Sequence, residues 1–314
     1  MPQMLIGRDY GDLDQLDVID ADLAGPGPGE VLVSVRAAGV NPADLKKLAG
    51  QFGRSETRPI PLGMEMAGVV TAATPGATGP AGPIQVGDEV LATGVNGAFA
   101  SDIVVPASKL VPKPASLDWH QAAGLLLTGT TAWHLLESTS VAAGDRVLVH
   151  GASGAVGVAV MQLARERGAE VVGTASPRNH ALLERFGAKP VAYGEGLADR
   201  VRAIWPEGPT VALDTVGTDE AIDVSVQLVA DRQRIATIAG WVKGTEAGIL
   251  MLGGGPGADP GTQIRNEARL PLVELAGAGK LEVVVGATFP LARGREALEL
   301  SATRHADGKI VILP

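Results

Sequence analysis

The chain has 314 residues, 46% of them hydrophobic and 19% charged, with a net charge of −9 and no cysteine. The acidic balance argues against nucleic acid and anionic membranes as partners, since either favours a basic face. Without cysteine there is no disulfide, no thiolate nucleophile and no cysteine zinc site.

This length predicts two domains. The N-terminal MPQMLIGRDYGD has no signal-peptide core, and no apolar run reaches spanning length, so a cytoplasmic protein with no membrane partner is expected. Residues 16–19, 30–37, 66–71 and 89–93 read as short strands between Gly/Pro clusters such as GPGPGE and TPGATGPAGP, the pattern of a β-barrel or sandwich. One helix interrupts them at 42–48, with Asn41 as N-cap and Pro42 in the first turn. From 119 onward the texture changes. Helices at 119–127 and 131–136 precede strands at 147–149, 170–173, 190–193, 210–213, 234–239 and 249–252, alternating with helices as in a doubly wound parallel sheet. A glycine-rich loop at 253–261 leads to a helix at 263–278, a strand at 281–289, a helix at 291–303 and a last strand at 309–313. The expected fold is therefore α/β, with domain limits of 1–118, 119–256 and 257–314, the last segment returning to the first. The loop 253–261 and the pair Arg265 and Arg269 on the 263–278 helix read either as a border of the substrate cleft or as a flexible connection with a solvated helix face, and the second reading is preferred. The apolar edge Ile249–Leu252 invites pairing with a second copy, and a homodimer is expected.

The stretch DRVLVHGASGAVG (145–157) carries the strongest functional signal. A buried strand, three glycines at three-residue spacing and a helix make the first half of a dinucleotide site, where helix N–H groups meet a pyrophosphate. Ala152 replaces the first glycine of the strict G-x-G-x-x-G. The next strand ends in Thr174-Ala175-Ser176-Pro177-Arg178, with no acid to meet a ribose 2′-hydroxyl. Ser176 and Arg178 suit a 2′-phosphate instead, so the expected cofactor is NADPH. Ser176 and Pro177 also fit a plain helix start. The five histidines (His120, His134, His150, His180, His305) show no metal-binding spacing and read as packing residues, so no metal is expected.

The segments AAGVNPADLKK (37–47), PLGMEMAGVV (61–70), VGDEVLA (86–92), LLLTGTTAWHLL (125–136), VLVHGASGAVG (147–157), TASPRNH (174–180), ALDTVG (212–217) and GKIVIL (308–313) together resemble the zinc-independent quinone oxidoreductases, the zeta-crystallin-like branch of the medium-chain dehydrogenase/reductase superfamily. That resemblance implies a GroES-like β-barrel catalytic domain plus a Rossmann domain, with the active site in the cleft. It places Ser153, Gly154, Ala155 and Val156 at the pyrophosphate, and Ser176, Arg178 and Tyr193 around the 2′-phosphate. It sets Asp214 beneath the ribose, and Thr237, Ile238 and Ala239 at the nicotinamide carboxamide. Asn41 and Thr131 would flank the nicotinamide and the substrate carbonyl as the catalytic pair. Tyr193 reads equally as an ordinary strand aromatic, and His180 stands where the family often has lysine. Zinc-dependent relatives carry a cysteine near Gly39-Val40-Asn41 and a His-Glu pair at Met64-Glu65. Phe52 stands where many relatives have tyrosine and offers no proton, which favours a quinone over an enone as substrate. The implied activity is NADPH-dependent hydride transfer to a small-molecule quinone. The alternatives are an enone or alkenal reductase and a non-catalytic NADPH-binding protein.

Overall fold

The computed structural model describes residues 1–304 and 306–314; His305, and the packing role expected of it, lie outside the described residues. The chain forms two compact units, 1–127 with 269–314, and 128–268. These limits differ from the expected 118/119 and 256/257 because helices run through both junctions. The helix Trp119–Ala123 packs on strands Glu30–Val40 and Glu65–Ala73, and so belongs with the first unit.

In the first unit, seven strands form one sheet in the order Leu110–Pro112, Glu89–Thr93, Glu65–Ala73, Glu30–Val40, Lys309–Leu313, Val285–Pro290, with Asp102–Pro106 on the free half of Glu30–Val40. A three-stranded sheet of Leu16–Asp20, Gln3–Gly7 and Ile60–Pro61 completes it. Glu30–Val40 alternates buried and half-buried residues to Val35, as one covered face requires, exposes Arg36, and is buried on both faces from Ala37. Its register shifts twice against Glu65–Ala73, bending the ladder. The core includes Val33, Met66, Phe99, Leu110 and Ile312. Helix Pro42–Leu48 starts where expected, but the Asp44 carboxylate, not the Asn41 side chain, satisfies the chain at its start.

In the second unit six strands lie parallel: Lys189–Val191, Glu170–Thr174, Arg146–His150, Val211–Asp214, Ile235–Thr237, Leu250–Met251. Taken in chain order from Arg146 they stand 3-2-1-4-5-6, the doubly wound arrangement, whose order reverses between the first and fourth strands. At the last strand the main chain of Asp259 takes up the edge: its N–H donates to Met251 O at 2.9 Å and its carbonyl accepts from Gly253 N–H at 2.7 Å. The open edge on which the homodimer was expected is therefore bonded within the chain there. No helix among the described residues is long and apolar enough to cross a membrane.

Candidate functional site

The glycine turn sits where the strand order reverses. Gly151 takes φ +71°, a left-handed value that disfavours a side chain. Its N–H donates to Thr174 Oγ1 at 3.1 Å, and Ala152 N–H to the Thr174 carbonyl at 3.0 Å. A Cβ on Gly157 would lie 2.4 Å from Gly151 O and 2.6 Å from Ala152 Cα, so only glycine lets the helix Ala155–Glu166 start this close to the turn. Gly154 caps that helix with no side-chain acceptor, leaving its first N–H groups beside the half-exposed Ser153–Val156 segment for an anion. Asp214 and Thr237, both buried, lock the neighbouring strand ends. Thr237 Oγ1 donates to Asp214 Oδ2 at 2.6 Å, and Asp214 Oδ1 accepts from Val216 and Gly217 N–H, each at 2.9 Å. Thr237 Oγ1 in turn accepts from Ala239 and Gly240 N–H. These two side chains shape the loops, and the N–H groups of Val216, Gly217, Ile238 and Ala239 are all bonded to Asp214 or Thr237. His150 is buried beneath them with Nε2 3.1 Å from Ser225 Oγ. Since Ser225 donates its hydrogen to Ala221 O, Nε2 carries the proton. Burial lowers the His150 pKa against the pull of Asp214 and Glu220.

At the end of the second strand Ser176 is half-buried and Arg178 exposed. Tyr193 is 59% exposed, two residues beyond the strand Lys189–Val191, and is not a strand core aromatic. His180 Nε2 lies 3.3 Å from Ala175 O.

Thr131 belongs to a polar cluster of the second unit. Arg265 Nη1 donates to Thr131 Oγ1 at 2.8 Å and Arg265 Nε to His134 Nδ1 at 3.3 Å, while His134 Nε2 lies 3.3 Å from Asp259 Oδ2. Burial and the Arg265 charge hold the His134 pKa down, against Asp259. Gly261 packs on the imidazole, since a Cβ there would lie 2.3 Å from it. Arg265 is thus no solvated residue, and neither is Arg269, which is buried and donates to the Ser108 and Lys109 carbonyls. The solvated reading fails for both because each guanidinium has protein acceptors that its sequence neighbours do not reveal.

In the first unit, Asn41, Glu65 and Lys309 are each at most 2% exposed. Lys309 Nζ lies 2.6 Å from Glu65 Oε1 and donates to Asn41 Oδ1. Asn41 Nδ2 donates to Glu65 Oε1 at 3.0 Å and to Gly39 O at 3.1 Å. Both amide hydrogens of Asn41 are bonded within the protein, where it ties a buried ion pair together. A Cβ on Gly39 would lie 2.6 Å from Glu65 Oε1 and 2.8 Å from Lys309 Cε, so this glycine makes room for the lysine. Beside it burial raises the Asp44 pKa to about 7, although Asn41 and Gly63 N–H groups and Lys309 oppose the shift. Where zinc-dependent relatives hold their metal, Gly39 and Met64 offer no ligand and Glu65 already has a cation. No group of three or more potential ligands stands together among the described residues, so the residues do not fit zinc. Sequence reasoning missed Lys309, for which a lysine opening an apolar strand (KIVIL) was the signal. It named Arg265 but preferred the solvated reading, because its partners Thr131 and His134 lie more than 130 positions away in the chain. Phe52 is 40% exposed in the turn after helix Pro42–Leu48.

Family models match in two segments: an alcohol dehydrogenase GroES-like domain over residues 27–115 and a zinc-binding dehydrogenase domain over 155–255. A solved mycobacterial quinone oxidoreductase is 30% identical, with TM-score 0.81 and full coverage of both chains. A mycobacterial protein solved in complex with NADPH is 29% identical (TM-score 0.87, 99% of this chain and 100% of that one). The CurK enoyl reductase is 25% identical (TM-score 0.85, 99% of each chain). Among curated proteins, a mycocerosic acid synthase-like polyketide synthase of Mycolicibacterium smegmatis is 34% identical over 202 residues, 63% of this chain and 9% of that protein. The chain spans less than half the length of the first curated relatives it matches.

Proposed function

Since the chain belongs to the medium-chain dehydrogenase/reductase superfamily, we propose that it is a cytoplasmic NADPH-dependent quinone reductase that works without a metal ion. The observation that carries the reading is the end of the second parallel strand. No acid follows Thr174 in the segment Ala175–Arg178, and Ser176, the exposed Arg178 cation and the exposed Tyr193 phenol supply groups that suit a ribose phosphate in this reading. The similarity to a protein solved with NADPH supports it.

Bound NADPH supplies a hydride from nicotinamide C4. In this proposal the N–H groups of Ser153–Val156 hold the pyrophosphate, and Arg178 neutralises the 2′-phosphate. The 237–239 backbone, held by Asp214, orients the nicotinamide; Thr131 borders the substrate. Asn41, whose amide hydrogens are bonded to Glu65 and Gly39, is not the donor in this proposal. Hydride transfer to a quinone leaves an oxyanion that water protonates, a route that asks no acid of Phe52. The protein contributes proximity and orientation.

A second reading, reduction of an enone or enoyl thioester, has its own support in the similarity to an enoyl reductase and to polyketide synthases. The test is NADPH oxidation with a panel of simple quinones and α,β-unsaturated carbonyls, after fluorescence titration of wild type and Arg178→Ala with NADPH and NADH. The proposal expects NADPH to bind preferentially and to lose on the order of 10- to 100-fold in the variant, with NADH unaffected. Faster turnover of enones selects the second reading. Tight NADPH binding without turnover of either class makes the chain a binding protein.

A further inference from the structure

Arg265 is a cation in an unfavourable place. It lies in the first turn of helix Thr262–Gly277, with its N–H bonded to Gly261 O at 2.8 Å. At that end of a helix the macrodipole favours anions and opposes cations. Its two acceptors, Thr131 Oγ1 and His134 Nδ1, are neutral groups on residues 6% and 0% exposed. The nearby carboxylate, Asp259, spends Oδ2 on His134 and Oδ1 on Gly261 N–H, and forms no ion pair with Arg265. Burial disfavours the guanidinium charge. Charges taken out of water are as a rule paired; this one has no bonded counter-charge.

The guanidinium has five N–H groups, and Thr131 and His134 take two. Neither hydrogen of Nη2 has an acceptor among the described residues. No fully buried side-chain nitrogen or oxygen among them lacks a partner, so Nη2 retains some exposure. The result is a fixed donor, held at two points against the helix that carries Thr131, with its remaining hydrogens turned outward. In a planar guanidinium such an edge matches an oxyanion. The cofactor phosphates have other holders in the proposed function, which leaves the substrate as the source of the anion.

We infer that Arg265 determines specificity by receiving a carboxylate carried by the substrate, so that the acceptor is an acidic quinone or enone rather than a neutral one. The inference rests on the proposed reductase function for the identity of the substrate, and on the geometry alone for the anion site. Thr131 and His134 then act as positioning residues that hold the guanidinium rigid.

Two measurements test it, on wild type, Arg265→Gln and Arg265→Lys, with thermal unfolding checking that each variant is folded. The first is calorimetric titration with benzoate in the presence of saturating NADPH, with inorganic phosphate as a separate arm. Saturable benzoate binding that weakens on the order of 10- to 100-fold in Arg265→Gln and recovers in part in Arg265→Lys is expected. Benzoate binding that is absent, or equal in wild type and Arg265→Gln, overturns the inference. So does preferential phosphate binding accompanied by loss of NADPH affinity in Arg265→Gln, which assigns the guanidinium to the cofactor. The second measurement compares a neutral benzoquinone with its carboxylate-bearing analogue. The ratio of their kcat/KM values should fall in Arg265→Gln through a rise in KM for the acidic substrate, and an unchanged ratio overturns the inference. Arg265-dependent benzoate binding with no turnover of either quinone sinks the reductase reading and leaves the anion site standing.

Discussion

Lys309 opens the strand Lys309–Leu313 as its one charged side chain and is buried against Glu65 and Asn41. An ion pair removed from water contributes little net stability, yet breaking it leaves a buried charge with no partner. Lys309→Met is therefore expected to lower unfolding stability by about 3–5 kcal/mol, read by urea denaturation. The double variant Lys309→Met/Glu65→Gln should recover part of that loss, since no lone carboxylate remains. Equal losses in the single and double variants would refute a pairing energy. Asn41 stands out in its segment as a candidate site residue, but which polar atoms meet its amide is decided by a partner 268 positions away. No pattern in the sequence encodes that distance.

The Arg146–Glu166 strand, turn and helix unit is the element on which the cofactor reading stands, and its glycines do separate jobs. Gly151 supplies a left-handed turn, and Gly157 admits the backbone of that turn against the helix. The atoms that meet a Cβ at Gly157 belong to main chain and cannot swing aside. Gly157→Ala is expected to cost about 1–3 kcal/mol, as overpacked sites do, and to weaken NADPH binding measured by nicotinamide fluorescence. Unaltered NADPH affinity in a folded Gly157→Ala variant would remove the turn from the cofactor site. The element boundaries were legible because strand and helix differ in hydrophobic period. The loop 253–261 was legible only as a loop. That Asp259 bonds the last strand's edge and also His134 comes from tertiary contacts.

At the scale of the whole molecule, the expected homodimer is checked by light scattering at micromolar concentration. A mass of twice 32.0 kDa supports it and 32.0 kDa refutes it. Because Met251 O and Gly253 N–H are already bonded to Asp259, a dimer seam cannot use those main-chain groups. The two-unit organisation followed from the change of texture near residue 119, but the junctions fell at 127/128 and 268/269. Short helices are assigned to a unit by what they pack on, which composition does not report.

By itself the sequence determined the doubly wound sheet, the glycine turn with the helix that starts on it, and the missing acid after the second strand. These depend on residues close together in the chain, where periodicity and glycine stereochemistry act locally. Only the tertiary structure decided that Asn41 spends its amide on a buried Lys309–Glu65 pair and that Arg265 bonds Thr131 and His134 while Asp259 stands near it without bonding it. Burial and long-range register set those pairings, because a polar group's partner is chosen by what the fold brings within hydrogen-bond reach.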